Sequence, residues 1–192
     1  MTTQSHDSDR GDLEHWRRVG PQLEFNRSFC IISGLAVVYW GTPRSTQDVD
    51  VSLVVPLGDE RAVAEHLLHS FTPRIEQAVP FAVESRILLI EASNGVSIYI
   101  AFAGFPLEQA MIERAEMCEL QPGLSVRLIN AEDLIISKAI AARPQDVLDI
   151  QGIIDRQGEH LDRTHIRLTL EAFCSLLETN DPIQLVDAMR NS

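Results

Sequence analysis

Asp48 and Asp50 stand one residue apart in the run Asp48-Val-Asp-Val-Ser-Leu-Val-Val55, where polar and apolar side chains alternate. That period predicts a strand ended by Pro56, and residues i and i+2 of a strand point to one face. The two carboxylates therefore converge. Mg²⁺ is normally held by one or two such hard oxygen ligands, with substrate phosphates completing its shell. A pair of such ions favours in-line attack on the α-phosphate of a nucleoside triphosphate. Upstream, Ser33-Gly34 follows the apolar run Phe29-Cys30-Ile31-Ile32 and opens a second apolar stretch, Leu35–Trp40, closed by Gly41. A strand that turns into a helix at a small residue leaves backbone N–H groups exposed, and such groups attract phosphate. An isolated Asp-x-Asp is common on solvated strand edges, so the pair gains meaning only from these neighbours.

A second block lies between Asn130 and Asp149. Lys138 is the only lysine of the chain, so any chemistry that needs a lysine has one candidate. Asn130-Ala-Glu-Asp133 resembles a capping box, with Asp in place of Glu, ahead of a helix over 134–143. Pro144 opens a further helix towards Gly158. On that helix Asp146 and Asp149 are i and i+3 and share a face. There they would orient Lys138 or Arg143, or form ordinary surface ion pairs.

The elements that must position these residues alternate in type. Asp59 is a candidate N-cap for a helix to Phe71. The runs 86–91 and 96–102 flank Ser93-Asn94-Gly95, and an Asn-Gly pair between β-rich runs signals a hairpin. Pro106 suits the first turn of a helix to Cys118. Residues 124–129 read as a strand, and helices follow near 162–178 and 182–190. The fold class expected is α+β, a mixed β-sheet flanked by helices with a helical C-terminal region. Three segments are expected: a polar lead-in (1–20), an α/β core (21–130), and a helical region packed on it (131–192).

Composition narrows the function classes. The chain has 192 residues, 45% apolar and 23% charged, enough for a globular core. Its net charge of −12 argues against a uniformly basic nucleic-acid surface. Arg17, Arg18, Arg27 and Arg44 are candidates for a local basic patch. No apolar run approaches the ~20 residues of a membrane span. Cys30, Cys118 and Cys174 lack metal-ligand spacing and read as reduced thiols of a cytoplasmic protein. His66 and His69 lack a third ligand at useful spacing. Tyr39 and Trp40 would stack on a base or pack in the core.

The two blocks together resemble the nucleotidyltransferase superfamily, which has the fold of the DNA polymerase beta palm. More narrowly they resemble its abortive-infection type toxin and minimal nucleotidyltransferase branch. That branch has a Gly-Gly-x-Ala-type helix start, then Gly-x-x-Arg-x-Thr-x-Asp-hydrophobic-Asp. Gly34, Ala36, Gly41, Arg44, Thr46, Asp48 and Asp50 match, with Ser33 in place of the first glycine. Downstream, Glu132-Asp-Leu-Ile and Lys138, Arg143, Asp146 and Asp149 match the branch's second motif. The resemblance spans residues 28–157.

It implies transfer of a nucleoside monophosphate from a nucleoside triphosphate to a hydroxyl on RNA, protein or a small molecule. Asp48 and Asp50 would bind Mg²⁺ or Mn²⁺. Ser33, Gly34, Arg44, Thr46 and Lys138 would bind the nucleotide, with Lys138 also counted among the catalytic residues. Arg143, Asp146 and Asp149 would support them. An antitoxin or other protein is an implied partner, and a membrane is not. The superfamily's third carboxylate falls at Tyr99, a phenol and a poor substitute as ligand or base. Glu84 and Glu91, expected on the neighbouring strand region, are candidates to compensate. A fold that binds a nucleotide or a partner without turnover is the alternative, and a kinase-like phosphotransferase is a third reading.

Overall fold

The computed structural model describes residues 28–46 and 48–189. The polar lead-in, Arg17, Arg18, Arg27, Gln47 and the last turn expected at Arg190 lie outside the described residues. In chain order the elements begin with β1 (Phe29–Ile32), α1 (Ser33–Trp40), β2 (Asp48–Val54), α2 (Glu60–Leu67), β3 (Thr72–Pro73) and α3 (Ala78–Ser85). Then come β4 (Ile87–Glu91), β5 (Ser97–Ala103), α4 (Pro106–Glu113), β6 (Glu116–Gln121) and β7 (Leu124–Leu128). The chain finishes with α5 (Ala131–Ala141), α6 (Pro144–Gln157), a 3₁₀ turn at Gly158–His160, α7 (Arg163–Leu177) and α8 (Asp181–Met189).

The chain divides into two compact units. One comprises the strand ending at Ile32 together with Thr46–Leu128, and the other comprises Ser33–Ser45 and the chain from Ile129. The first carries a seven-stranded mixed sheet in the order β3-β4-β5-β2-β1-β7-β6. The pairs β2/β5 and β1/β7 are parallel and the others antiparallel. β2 occupies the centre because alternate side chains suit two different environments. Val49, Val51 and Leu53 are buried with Ile98, Ile100 and Phe102 of β5 and Leu88 and Ile90 of β4. Asp48, Asp50, Ser52 and Val54 are half-buried on the opposite face. Helix α3 packs against β4 and α4 against β2.

The hairpin signal is realised between β4 and β5. Gly95 takes the positive φ of 84° that the turn requires, and its N–H donates to the Ala92 carbonyl. Three expectations are corrected. The helix from Pro106 ends at Glu113 rather than Cys118, and the chain then forms the edge strand β6. That strand buries little beyond Cys118, so its composition carries no alternation. The helix from Asp59 ends at Leu67, short of Phe71. Helix α3, which the sequence did not announce, takes in Glu84, so that residue lies on a helix rather than on a strand beside β2.

The second unit is helical. Asn130 caps α5, its side chain accepting from the Asp133 N–H at 2.8 Å. Asp162 caps α7 by accepting from the His165 N–H at 2.9 Å. Leu134, Ile135, Ile136, Ile150, Ile153, Ile166 and Leu170 form the core. The segment Ser33–Ser45 belongs to this unit and is tied to α6. A Cβ at Gly41 would come within 2.9 Å of the Ile153 side chain, and one at Gly152 within 3.0 Å of the Thr42 backbone nitrogen. Both glycines thus permit a close approach that no larger residue allows. Arg156 donates to the Gly41 carbonyl at 2.8 Å and Gln157 to that of Trp40 at 2.6 Å.

Candidate functional site

Asp48 and Asp50 share the half-open face of β2, as the alternation requires. The register defines their neighbours. Asp48 lies opposite Ser97, and Asp50 lies between Tyr99 of β5 and Ile32 of β1. Residues paired directly across a sheet point to the same face, with adjacent strands ~4.8 Å apart. Tyr99 is thus on the strand next to Asp50, at the position where the resemblance puts a third carboxylate. Glu91 pairs with Ser97, two strands from Asp48, so its backbone is roughly 10 Å away. Thr46 donates its hydroxyl to the Asp48 carbonyl at 3.2 Å, which steadies the entry to β2. Among the described residues, nothing is hydrogen-bonded to the Asp48 carboxylate.

Arg74 is a feature of this face that the sequence did not single out. Its backbone N–H donates to the Leu89 carbonyl at 3.1 Å, continuing the β3–β4 ladder by one residue. Its guanidinium carbon lies 4.7 Å from the centroid of the Tyr99 ring. A cation over a phenol face at that distance is attracted by the ring's quadrupole. Arg74, Leu89, Tyr99 and Asp50 therefore form one row across four strands.

The chain leaves β1 at Ile32 and enters α1 at Ser33, which has a φ of 58°. This left-handed conformation costs an L-residue about 1 kcal/mol or more and is what glycine adopts freely. The glycine at this position in the branch motif thus has a conformational reason, and Ser33 keeps the turn at some cost. Gly34 is buried directly after it.

The remaining motif residues meet in the helical unit. Lys138 is 4% exposed and its ammonium donates to Asp146 Oδ1 at 2.9 Å and Asp149 Oδ2 at 2.7 Å. Arg44 grips Asp149 with two parallel bonds, Nε to Oδ1 at 2.9 Å and a terminal nitrogen to Oδ2 at 3.1 Å. Arg143 does the same to Asp146 at 2.6 and 3.2 Å, and Gln145 adds a bond to Asp149 at 3.0 Å. Burial alone would push both carboxyls up. The hydrogen bonds and charges of Arg143 and Lys138 outweigh it at Asp146, as those of Arg44, Lys138 and Gln145 do at Asp149. Both carboxyls are held below their ordinary range. Three cations meet two carboxylates, and the bidentate Arg44 contact anchors the chain four residues before Asp48.

The other candidates have ordinary surroundings. Trp40 donates from its indole to the Ile129 carbonyl at 2.8 Å and meets Tyr39 edge-on. His69 Nδ1 contacts the Glu65 carbonyl at 2.7 Å, with the His66 ring 6.2 Å away. Among the described residues no group of three or more His, Cys, Asp or Glu is arranged to hold a metal. No helix among them is long and apolar enough to cross a membrane.

A mixed sheet with an Asp-x-Asp central strand, entered from a strand–Ser-Gly–helix turn, defines a nucleotidyltransferase-like class of protein. The chain belongs to the family described as nucleotidyl transferase of unknown function (DUF2204), whose model matches residues 12–179. Among solved structures, the fold is similar to that of the antibiotic-resistance factor ANT(2'')-Ia, with a TM-score of 0.54 at 17% identity. That match covers 88% of this chain and 96% of the other. An antigenic nucleotidyltransferase-like protein from Paracoccidioides brasiliensis is also similar, at 14% identity with a TM-score of 0.45, covering 92% of this chain and 88% of the other. Comparison with curated protein sequences finds no match.

Proposed function

We propose that the protein transfers a nucleoside monophosphate from a nucleoside triphosphate to a hydroxyl of an RNA, protein or small-molecule acceptor. The reading rests chiefly on Asp48 and Asp50, which share the half-open face of the central strand. The donor set fits Mg²⁺ or Mn²⁺: two hard carboxylates on one face, with room in the shell for phosphate oxygens and water. Such an ion, when bound, neutralises phosphate charge and orients the reacting oxygens. In this reading Ser33 and Gly34 receive the β- and γ-phosphates on backbone N–H groups. Arg44 and Lys138 act on the nucleotide largely through the charge and rigidity of their ion cluster, which Arg143, Asp146 and Asp149 complete. Thr46 steadies the entry to Asp48. The setting we favour is a cytoplasmic toxin paired with an antitoxin.

The test is incorporation of α-³²P label from each of the four nucleoside triphosphates, with Mg²⁺ or Mn²⁺, into total RNA or the protein itself. Metal-dependent labelling should fall at least ~100-fold in Asp48→Ala/Asp50→Ala, with the melting temperature little changed. Labelling that survives the double substitution would refute the site. Tyr99 opposite Asp50 favours a second reading, in which the fold binds a nucleotide or partner without turnover. Under it the wild-type chain gives no label, and Tyr99→Asp creates or raises activity.

A further inference from the structure

We propose that Arg74, lying over the Tyr99 ring, is a binding subsite for a phosphate-class oxyanion beside Asp50. The inference builds on the nucleotidyltransferase reading and gives the third-carboxylate position a different task. Where the resemblance calls for a carboxylate, this chain places a phenol and lays a guanidinium over it. The carboxylate's negative charge is absent there, and a positive charge lies 4.7 Å from the ring centroid. A cation is repelled from such a position and an anion is drawn to it.

Among the described residues, no carbonyl or carboxylate accepts from the Arg74 side chain. The side chain is exposed yet held at both ends. Its backbone is tied to Leu89, and its head rests on a ring that is itself half-buried in the sheet. An arginine positioned in this way loses little rotamer freedom when an anion arrives. Planar, bidentate donation suits phosphate and carboxylate oxygens.

The strand order puts Arg74 on the β5 side of Asp50. The strand that leads into Ser33 pairs with β2 on its other side. An anion held by Arg74 therefore lies across β2 from the strand that feeds the phosphate turn. This suits a phosphate carried by the acceptor molecule. The nucleotide's own α-phosphate is the other source of the same chemistry.

Titration of the full-length protein with inorganic phosphate, followed by ³¹P NMR, tests the subsite directly. Arg74→Ala should weaken phosphate binding about tenfold. Tyr99→Phe keeps the ring and should preserve binding, whereas Tyr99→Ala removes the pedestal and should weaken it. The melting temperature of Arg74→Ala should stay close to wild type. Phosphate binding that is absent, or indifferent to Arg74→Ala, overturns the proposal. A second arm repeats the titration with the protein saturated with Mg²⁺ and a non-hydrolysable α,β-methylene ATP. Binding that persists, and that still depends on Arg74, assigns the subsite to the acceptor. Mutual displacement, with Arg74→Ala weakening the analogue, assigns it to the nucleotide. Failure of the analogue to bind wild-type protein refutes the nucleotidyltransferase reading. In that event the phosphate arm still decides the subsite alone.

Discussion

Two charged regions of this protein use the same residue types to opposite ends. In the helical unit Asp146 and Asp149 are buried, and every carboxylate oxygen meets a cation or an amide. On the sheet, Asp48 and Asp50 are half-open. Desolvated carboxylates are tolerated only when their partners are complete. Carboxylates left partly solvated keep the capacity to take a ligand. The comparison separates motif residues that hold a loop in place from those that the proposed function puts at the chemistry. Arg44 and Lys138 belong structurally with the first group, although Arg44 lies in the same sequence motif as Asp48 and Asp50.

Removing Lys138 is the strongest way to break the comparison. Lys138→Met leaves Asp146 and Asp149 facing each other in a buried setting, with Arg44 and Arg143 engaged on their outer sides. Breaking a buried ion cluster by deleting one partner typically costs ~3–5 kcal/mol. Urea unfolding should show a loss of that order. Asp48→Ala/Asp50→Ala, at half-exposed positions, should change stability by less than about 1 kcal/mol. Equal losses in the two variants would mean that the regions do not differ as argued.

Acid gives a smaller and graded test. The folded-state pKa values of Asp146 and Asp149 lie below their ordinary value. The stability they contribute is therefore complete above the unfolded carboxylate pKa and is lost as pH falls through the folded values. Unfolding midpoints measured from about pH 6 to pH 2 should fall more steeply for wild type than for Asp146→Asn/Asp149→Asn below about pH 4. Parallel curves would show that the cluster does not hold these carboxyls ionised.

How legible each region was in the sequence follows from the physics that formed it. The β2 alternation and the Asn94-Gly95 turn were readable because one face of the sheet is buried and a two-fold period records that. Asn130 was readable because capping is local. The edge strand β6 was not, since it buries too few side chains to impose a pattern. Helix α3 hid behind Pro80 and its β-branched residues. The meeting of Arg44 with Asp149 spans 105 positions and has no periodic signature. Only the resemblance hinted that the two blocks belong together. Arg74 was missed because its role comes from strand register, with Leu89 and Tyr99 beside it, and no local spacing encodes that row. Gly152 had one available signal, a glycine inside an otherwise regular helix, which often marks close packing.

The smallest effect sharpens the comparison most finely, because it sets conformation against binding at one residue. Ser33 has a φ of 58°, and among the described residues nothing is hydrogen-bonded to its hydroxyl. Ser33→Gly relieves the left-handed strain, about 1 kcal/mol, and gives part of it back through the greater freedom of glycine in the unfolded chain. A net gain of a few tenths of a kcal/mol should raise the melting temperature by about 1–2 °C. If the hydroxyl belongs to the phosphate turn, calorimetry with a nucleoside triphosphate should show weaker binding in the same variant. Stability and affinity would then move in opposite directions, as expected where a strained residue is kept for its chemistry. A rise in both would make Ser33 a neutral replacement for glycine and confine the phosphate contact to the backbone. A fall in stability would show that the hydroxyl has a structural partner and would remove the strain argument altogether.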